Sequence, residues 1–168
     1  MIHLITGGQR SGKSSYAEKL ALEASENPVY LATSRIWDED FAQRVKRHQD
    51  DRGEQWENVE KEVTISDFDA SGRVVVIDCI TLWLTNFFFD NNASSVDEIL
   101  ALAKAEFDRF TAKDAHYIFI SNEIGMGGHA ANEVGRKFTD LQGWMNQYVA
   151  QRADRVTLMV SGIPMAVK

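Results

Sequence analysis

The residues from Gly7 to Ser14 have the types and the spacing that phosphate binding requires. They read Gly-Gly-Gln-Arg-Ser-Gly-Lys-Ser and follow an apolar run that begins at Ile2. The glycines at 7 and 12 allow the backbone to curl until several N–H groups point at one anion. Lys13 would place its ammonium on the β- and γ-phosphates, and the Ser14 hydroxyl would ligate Mg²⁺. The pattern predicts a phosphate-binding loop; a glycine-rich turn without a ligand is the alternative.

A second candidate is Asp78, which ends a continuous β-branched run that begins at Val74. Such a run is typical of a central parallel strand covered on both faces. Asp78 would then lie at the carboxyl edge of the sheet, where phosphate-loop proteins use an acidic residue to hold magnesium or its water. The alternative is an aspartate that caps the following helix.

A third candidate is His48, in the segment Arg44-Val45-Lys46-Arg47-His48-Gln49-Asp50-Asp51-Arg52. On helical spacing Arg44 and Arg52 lie one turn before and after His48. A neutral imidazole between two guanidiniums can attack a phosphoryl group whose charge they neutralise, and a phosphoramidate results. The alternative is a histidine that is merely packed or solvated.

Strand and helix patterns alternate along the chain and would bring these residues to one sheet edge. The predicted strands are Ile2–Thr6, Val29–Thr33, Val74–Asp78, Tyr117–Ile120, Val156–Val160 and Ile163–Val167, and the helices are Lys13–Glu26, Asp38–Asp51, Cys79–Phe89, Ser95–Lys113 and Ala131–Arg152. Trp56 to Val63 is ambiguous, with a short strand as one reading, and Gly125 to Gly128 reads as a mobile loop. We therefore predict an α/β fold of the P-loop NTPase (RecA-like) type, a mostly parallel sheet with helices on both faces.

Composition limits the class of protein. A chain of 168 residues, 44% hydrophobic, is the size of one domain, which we expect to span 1–168. The net charge of −7 argues against a nucleic-acid-binding surface. Cys79 is the single cysteine, so no internal disulfide can form, and the cytoplasm is the expected compartment. The longest apolar-rich run, Cys79 to Phe89, is too short to span a bilayer.

Several stretches, taken together and in order, resemble one known family. They are the phosphate loop, Tyr30-Leu31-Ala32-Thr33-Ser34, Arg44-Val45 with His48 and Arg52, Trp56 with Glu60, Asp78-Cys79-Ile80-Thr81 with Thr85-Asn86, Ser121 to Gly127, and Val160-Ser161-Gly162-Ile163-Pro164. The family is that of bifunctional adenosylcobinamide kinase / adenosylcobinamide-phosphate guanylyltransferase. The resemblance spans the whole chain, which a shared phosphate loop alone would not produce.

The resemblance implies two reactions of cobalamin biosynthesis. The γ-phosphoryl of ATP or GTP first passes to the hydroxyl of adenosylcobinamide. GMP from GTP is then held on a histidine, which falls on His48, and passes to adenosylcobinamide phosphate to give adenosyl-GDP-cobinamide. Mg²⁺ and a homotrimer are also implied. Phe87-Phe88-Phe89 is a candidate contact between subunits, with burial in the core as the other explanation.

The resemblance also carries over a set of site residues. His48 and Lys13 would be catalytic, and Ser14 and Asp78 would hold the metal. The nucleotide would be bound by Gly7, Gly8, Gln9, Arg10, Ser11, Gly12, Lys13, Ser14, Thr33, Ser34, Arg35, Gln49, Asp50, Asp51, Arg52, Glu60, Thr81 and Leu82. Simpler roles stay open: Glu60 as a solvated strand residue, Thr33 and Ser34 as turn caps, and Asp50-Asp51 in surface ion pairs.

The sequence departs from the family pattern after Gly127, where Gly128-His129-Ala130-Ala131-Asn132 replaces Ile-Val-Pro. The role of this loop in holding the corrinoid is therefore open, as is the general base for the acceptor hydroxyl. Glu123 could position water or the magnesium shell, or could anchor the glycine loop. Two rival functions are a small-molecule kinase that has no need of His48 and a nucleotide-dependent switch that needs a protein partner.

Overall fold

The computed structural model describes residues 1–36 and 52–168, and its centre is one seven-stranded sheet. The strands are β1 (Ile2–Gly7), β2 (Val29–Ala32), β3 (Glu57–Glu60), β4 (Val74–Asp78), β5 (His116–Ile120), β6 (Arg155–Val160) and β7 (Ile163–Ala166). They lie in the order β3-β2-β4-β5-β1-β6-β7. Strands β1 to β6 pair in parallel, and β7 runs antiparallel to β6. The predicted mostly parallel sheet is therefore confirmed.

The described helices are α1 (Lys13–Ala24), α2 (Ile80–Asp90), α3 (Val96–Thr111) and α4 (Glu133–Arg152), with 3₁₀ helices at Ile65–Asp67 and Ile124–Gly127. The ambiguous stretch from Trp56 contains β3. Thr33 lies just beyond β2 rather than inside it, and part of the predicted loop from Gly125 is a 3₁₀ turn. The predicted helix over 38–51 lies outside the described residues.

Helices cover both faces of the sheet, as the uninterrupted apolar strands predict. One cluster packs α2, α3 and α4 against side chains such as Leu31, Ile77 and Phe119. The other packs Ala17 and Ala21 of α1 against alternate strand residues, among them Ile5, Val76 and Ile118. Because successive side chains of a strand point to opposite faces, each central strand contributes to both clusters.

Local signals explain where two helices begin. Ser95 and Glu98 form a capping box: Ser95 Oγ accepts from the Glu98 N–H at 3.3 Å, and Glu98 Oε2 accepts from the Ser95 N–H at 2.7 Å. Asn132 caps α4 through its Oδ1, which accepts from the Gly135 N–H at 2.7 Å. The stretch that departs from the family pattern thus ends in a helix cap. None of the helices in the described parts of the chain is long and apolar enough to cross a membrane.

The three consecutive phenylalanines differ in their surroundings. Phe87 is buried, Phe88 packs edge-to-face on Phe138 with ring centres 5.6 Å apart, and Phe89 is 53% exposed. Burial in the core therefore explains Phe87 but does not explain Phe89.

His3 is a buried titratable group at the amino end of the sheet, remote from the carboxyl edge. Its Nε2 lies 2.9 Å from the Thr157 hydroxyl. Burial, reinforced by the charges of Arg155 and His116, lowers the pKa of His3 to about 4. In the unfolded chain, the His3 side chain would bind a proton with its ordinary pKa of 6.5. Between pH 6.5 and pH 4, protonation of His3 therefore favours the unfolded state.

We predict that acid destabilises the protein partly through His3. The stabilisation is complete above pH 6.5 and is lost as the pH falls towards 4. Between pH 7 and pH 5, the free energy of unfolding of the wild type, measured with urea, should fall by about 2 kcal/mol more than that of His3→Gln. His129→Gln, in an exposed loop, is the matched control and should behave as wild type. Equal losses for wild type and His3→Gln would contradict the prediction.

Candidate functional site

The glycine loop joins β1 to α1 and rests on the turn between β6 and β7. A Cβ at Gly7 would lie 2.6 Å from the Met159 carbonyl oxygen, so no larger residue fits there. Gly12 has φ +92° at the start of α1, and Arg10 also has a positive φ of 61°. The Gly162 N–H donates to the Ser11 carbonyl at 3.0 Å. These contacts give the loop one defined curvature at the carboxyl edge of the sheet.

Lys13 lies along the inside of this loop. Its Nζ donates to the Gly8 carbonyl oxygen at 2.6 Å, and its side chain is buried. Burial lowers the pKa of the Lys13 ammonium below its usual value. The buried Ser11 hydroxyl has no hydrogen-bond partner in the described parts of the chain. An ammonium and an unpaired hydroxyl on one curved loop are donors suited to an anion.

Asp78 is the meeting point of three elements. Its Oδ2 accepts a hydrogen bond from Ser14 Oγ of α1 at 3.1 Å and another from the Tyr30 hydroxyl of β2. Burial, with the charge of Asp78, raises the pKa of Tyr30 well above its ordinary value, which keeps the phenol a donor. The N-cap residue of α2 is Cys79, so the alternative reading of Asp78 as the cap of that helix is wrong.

The pair formed by Ser14 and Asp78 could hold a hard cation. Neighbouring oxygens of an octahedral Mg²⁺ lie about 2.9 Å apart, because each sits 2.0–2.1 Å from the ion. The Ser14 and Asp78 oxygens are 3.1 Å apart, which suits that geometry. Within residues 1–36 and 52–168 no group of three or more His, Cys, Asp or Glu side chains could form a cage of protein ligands. Mg²⁺ on a phosphate substrate needs only one or two protein ligands.

Thr33 connects the carboxyl end of β2 to the carboxyl end of β4 by hydrogen bonds. Its buried hydroxyl donates to the Cys79 carbonyl at 2.8 Å and accepts from the Cys79 N–H at 2.9 Å. The peptide bond between Asp78 and Cys79 is cis. Asn86 of α2 donates to the Thr33 carbonyl at 2.8 Å. Thr33 therefore bridges two strands and does not cap a turn.

Arg35 and Glu60 lie further along the same edge. Arg35 forms a fork with Asp90 at 2.9 and 3.0 Å and donates to Glu62 at 2.7 Å. Glu60 ends β3 and is exposed; both it and Asp78 pair in register with Ala32. Two strand spacings, roughly 10 Å, therefore separate the Glu60 and Asp78 backbones. Ser34 is half-buried between Thr33 and Arg35.

Arg52 is buried against the Asp78 cluster. Its guanidinium lies 3.5 Å above the centre of the Tyr30 ring. It donates to Asn58 at 3.2 Å and lies 3.7 Å from Glu18, with a side chain only 5% exposed. A cation–π contact is stronger when it is shielded from solvent, so this contact helps to fix the position of the guanidinium. The predicted site residues His48, Gln49, Asp50 and Asp51 lie outside the described residues.

A cavity of about 820 Å³ adjoins the glycine loop. Its lining includes five of the predicted nucleotide-binding residues: Gly8, Gln9, Ser11, Thr81 and Leu82. The other lining residues are Cys79, Asn122, Glu123, Ile124, Met126, Gly127 and the segment from Leu158 to Ser161. Thr81 Oγ1 accepts from the Asn122 backbone at 3.2 Å and from its side chain at 3.0 Å. Strands β1, β4, β5 and β6 thus all deliver residues to one cavity.

Sequence reasoning missed the hydrogen bonds that orient Glu123. Its Oε1 accepts from Thr6 Oγ1 at 2.8 Å and from Asn146 Nδ2 at 3.0 Å. Asn146 Oδ1 in turn accepts from Ser121 at 2.6 Å and from Gln142 at 3.0 Å. Gln142 and Asn146 are spaced i, i+4 on α4, and this pairing of amides on one helix face was the only available signal.

Cys79 lines the cavity but is buried, so its reactivity tests how well the protein shields this thiol from solvent. Burial, with the charge of Asp78, raises the pKa of its thiol to about 12. Because the thiolate is the reactive form, we predict that a disulfide reagent at pH 8 modifies the native protein at least about 100-fold more slowly than the urea-unfolded protein. Comparable rates in the two states, measured by thiol release, would contradict this description.

Comparison with known proteins identifies the family of the chain and agrees with its fold. A sequence profile described as "Cobinamide kinase / cobinamide phosphate guanyltransferase" matches residues 3–167. The bifunctional adenosylcobalamin biosynthesis protein CobP of Pseudomonas aeruginosa is 34% identical over 172 residues, covering 100% of this chain and 98% of its own. The corresponding protein CobU of Escherichia coli is 35% identical over 183 residues, covering 100% of both chains.

Among solved structures, the flagellar accessory protein FlaH from Methanocaldococcus jannaschii matches 99% of this chain and 77% of its own. The TM-score is 0.50 and the identity 16%, so this likeness concerns the fold alone. The fold is that of the α/β P-loop NTPases, as predicted. By sequence, the chain belongs to the cobinamide kinase / cobinamide phosphate guanyltransferase family.

Proposed function

We propose that this chain catalyses two successive reactions of cobalamin biosynthesis. It phosphorylates adenosylcobinamide with ATP or GTP, and it then transfers GMP from GTP, through a GMP-histidine intermediate, to adenosylcobinamide phosphate. The product is adenosyl-GDP-cobinamide. Membership of the family along the whole chain supports both activities. The observation that carries the proposal is the convergence of Lys13, Ser14 and Asp78 beside one large cavity.

For the kinase step, the loop from Gly7 to Ser14 would bind the triphosphate. Lys13 would exchange its bond to the Gly8 carbonyl for one to the β- and γ-phosphates, and Ser11 would gain a partner for its buried hydroxyl. Ser14 and Asp78 would hold Mg²⁺, directly or through its water. The ion would neutralise charge on the transferring phosphoryl group, while Tyr30 keeps the carboxylate oriented.

For the guanylyl step, His48 would attack the α-phosphorus of GTP. Pyrophosphate leaves, and the P–N bond formed is labile enough to pass GMP on. Arg52 follows four residues later in the chain, and its burial beside Tyr30 would fix that end of the segment near the metal pair. Glu60 lies at the same sheet edge as Asp78, and we propose that it accepts hydrogen bonds from the guanine base.

We propose that the acceptor enters the 820 Å³ cavity, where Ile124, Met126 and Leu158 supply apolar surface beside the glycine loop. A single domain is supported by the one sheet that all described strands share. The homotrimer, the cytoplasmic location and the absence of nucleic-acid binding are proposed from the resemblance and the charge of −7. Phe89, which is 53% exposed, is a candidate contact for a trimer.

The first experiment tests the covalent intermediate. Purified protein with α-labelled GTP and Mg²⁺, denatured and digested, should yield an acid-labile GMP adduct on the peptide that contains His48. His48→Asn should yield none, because it lacks the nucleophile, yet it should still phosphorylate adenosylcobinamide. Mass analysis of the peptide provides the measurement.

Other results would assign another function. Phosphorylation of adenosylcobinamide without an adduct would leave a small-molecule kinase. Slow nucleotide hydrolysis that cobinamide does not change, with neither transfer reaction, would indicate a switch.

A second experiment tests the metal site. Asp78→Asn should raise the Mg²⁺ concentration for half-maximal phosphorylation by about 10- to 100-fold. Mn²⁺ binding in the presence of a non-hydrolysable nucleotide, followed by electron paramagnetic resonance, should weaken by a similar factor. Asp140→Asn removes an exposed carboxylate of α4 and should change neither value. Unaltered Mn²⁺ binding in Asp78→Asn would show that Asp78 does not contribute to the metal site.

A further inference from the structure

We propose that Glu123 is the general base of the kinase step: its Oε2 accepts the proton of the acceptor hydroxyl. This inference rests on the proposed function, because it assigns a role within the first of the two reactions. The proposed role also predicts different effects of Glu123 on the two reactions, because their acceptors differ chemically.

Glu123 lies beside the glycine loop and faces the cavity. It follows β5, the strand next to β1 in the sheet, and its backbone N–H donates to the Gly7 carbonyl at 3.2 Å. It lines the same cavity as Gly8, Gln9 and Ser11 and is half-buried. An acceptor in this cavity would therefore meet the glycine loop on one wall and the Glu123 carboxylate on another.

The two oxygens of the carboxylate are not equivalent. Thr6 and Asn146 both donate to Oε1, at 2.8 and 3.0 Å. Oε2 receives no hydrogen bond from the residues that the structure describes, and it is not fully buried. One oxygen is thus held by the protein while the other stays accessible, as a base requires.

A buried network fixes this orientation. Asn146 is 6% exposed and directs its amide to Glu123 because Ser121 and Gln142 donate to its Oδ1. The other hydrogen of the amide reaches the Asn122 carbonyl at 3.1 Å. A simple anchor for the glycine loop would not need a second carboxylate oxygen left open to a cavity. Preorganisation of this kind holds a catalytic group in its reactive geometry.

The proposed step balances as follows. The acceptor oxygen forms a bond to the γ-phosphorus of the nucleoside triphosphate, and the bond from that phosphorus to the bridging oxygen breaks, leaving its electron pair on the nucleoside diphosphate. The hydroxyl proton passes to Glu123 Oε2 and later to solvent. Because phosphoryl transfer has a loose transition state, we expect the base to contribute at the lower end of the usual range, about 100-fold.

The second reaction has no need of this base. Its acceptor is a phosphate monoester whose second pKa is about 6, so it is already an anionic nucleophile at pH 7.5. Glu123 should therefore affect one half of the catalytic cycle only. A residue with a purely structural role would affect both.

The experiment compares both transfers in one set of variants at pH 7.5. Glu123→Gln should lower kcat for adenosylcobinamide phosphorylation by about 100-fold, with the KM for the nucleotide unchanged. GMP transfer to adenosylcobinamide phosphate, supplied separately, should stay within about threefold. Asp140→Asn, which removes an exposed carboxylate on α4, should match the wild type in both reactions.

A second variant keeps the test decisive if Glu123→Gln folds poorly. Glu123→Ala with added formate should regain kinase activity in proportion to formate concentration, because a small carboxylate can replace the lost base. Equal losses in both reactions, or full kinase activity in Glu123→Gln, would overturn the proposal. A wild type that phosphorylates no cobinamide would instead refute the proposed function.

Discussion

The hydrogen bonds to the Asp78 carboxylate are the interaction on which the rest of the site depends. They join Ser14 at the start of α1, Tyr30 on β2 and the end of β4, three elements that are separate in the sequence. The parallel pairing of β2 with β4 sets this meeting: a one-residue slip would turn Asp78 to the other face of the sheet. Arg52 packs on the Tyr30 ring, so this side chain is connected to the same carboxylate through one aromatic ring.

A second constraint acts on the opposite wall of the cavity. Asn146 satisfies polar groups from Ser121, Asn122 and Glu123, all of which follow β5. An unpaired buried polar group is costly, which favours networks whose members satisfy one another. Both polar side-chain atoms of Asn146 have partners, whereas Gln142 Oε1 has none within the described residues. The network therefore gives α4 a defined rotation, and the direction of the Glu123 carboxylate depends on how this helix packs against the sheet.

The sequence was sufficient to predict whatever depends on local pattern. The order of strands and helices, the glycine loop and the position of Asp78 at a strand end all follow from periodicity and from one motif. The partners of Asp78 could not be predicted in this way, because strand order brings Tyr30 beside it and no spacing encodes that order. Arg35 makes the same point: its motif position indicated the nucleotide, whereas the fold brings Glu62 and Asp90 within hydrogen-bonding distance. Asn146 lacked a signal because its amide matters only once α4 lies over β5.

The two constraints divide the site by chemistry. The side formed by α1, β2 and β4 carries a lysine, a hydroxyl and a carboxylate, which suit the binding of a metal–triphosphate. These groups would bind the triphosphate in the same way whether its γ- or its α-phosphorus is attacked. The side formed by β5 and α4 carries the oriented Glu123 carboxylate, which suits an acceptor that must lose a proton. In the proposed mechanism the two transfers share the donor side, and only the first needs the base. The hydroxyl acceptor must lose a proton, whereas the phosphate acceptor of the second transfer is already ionised.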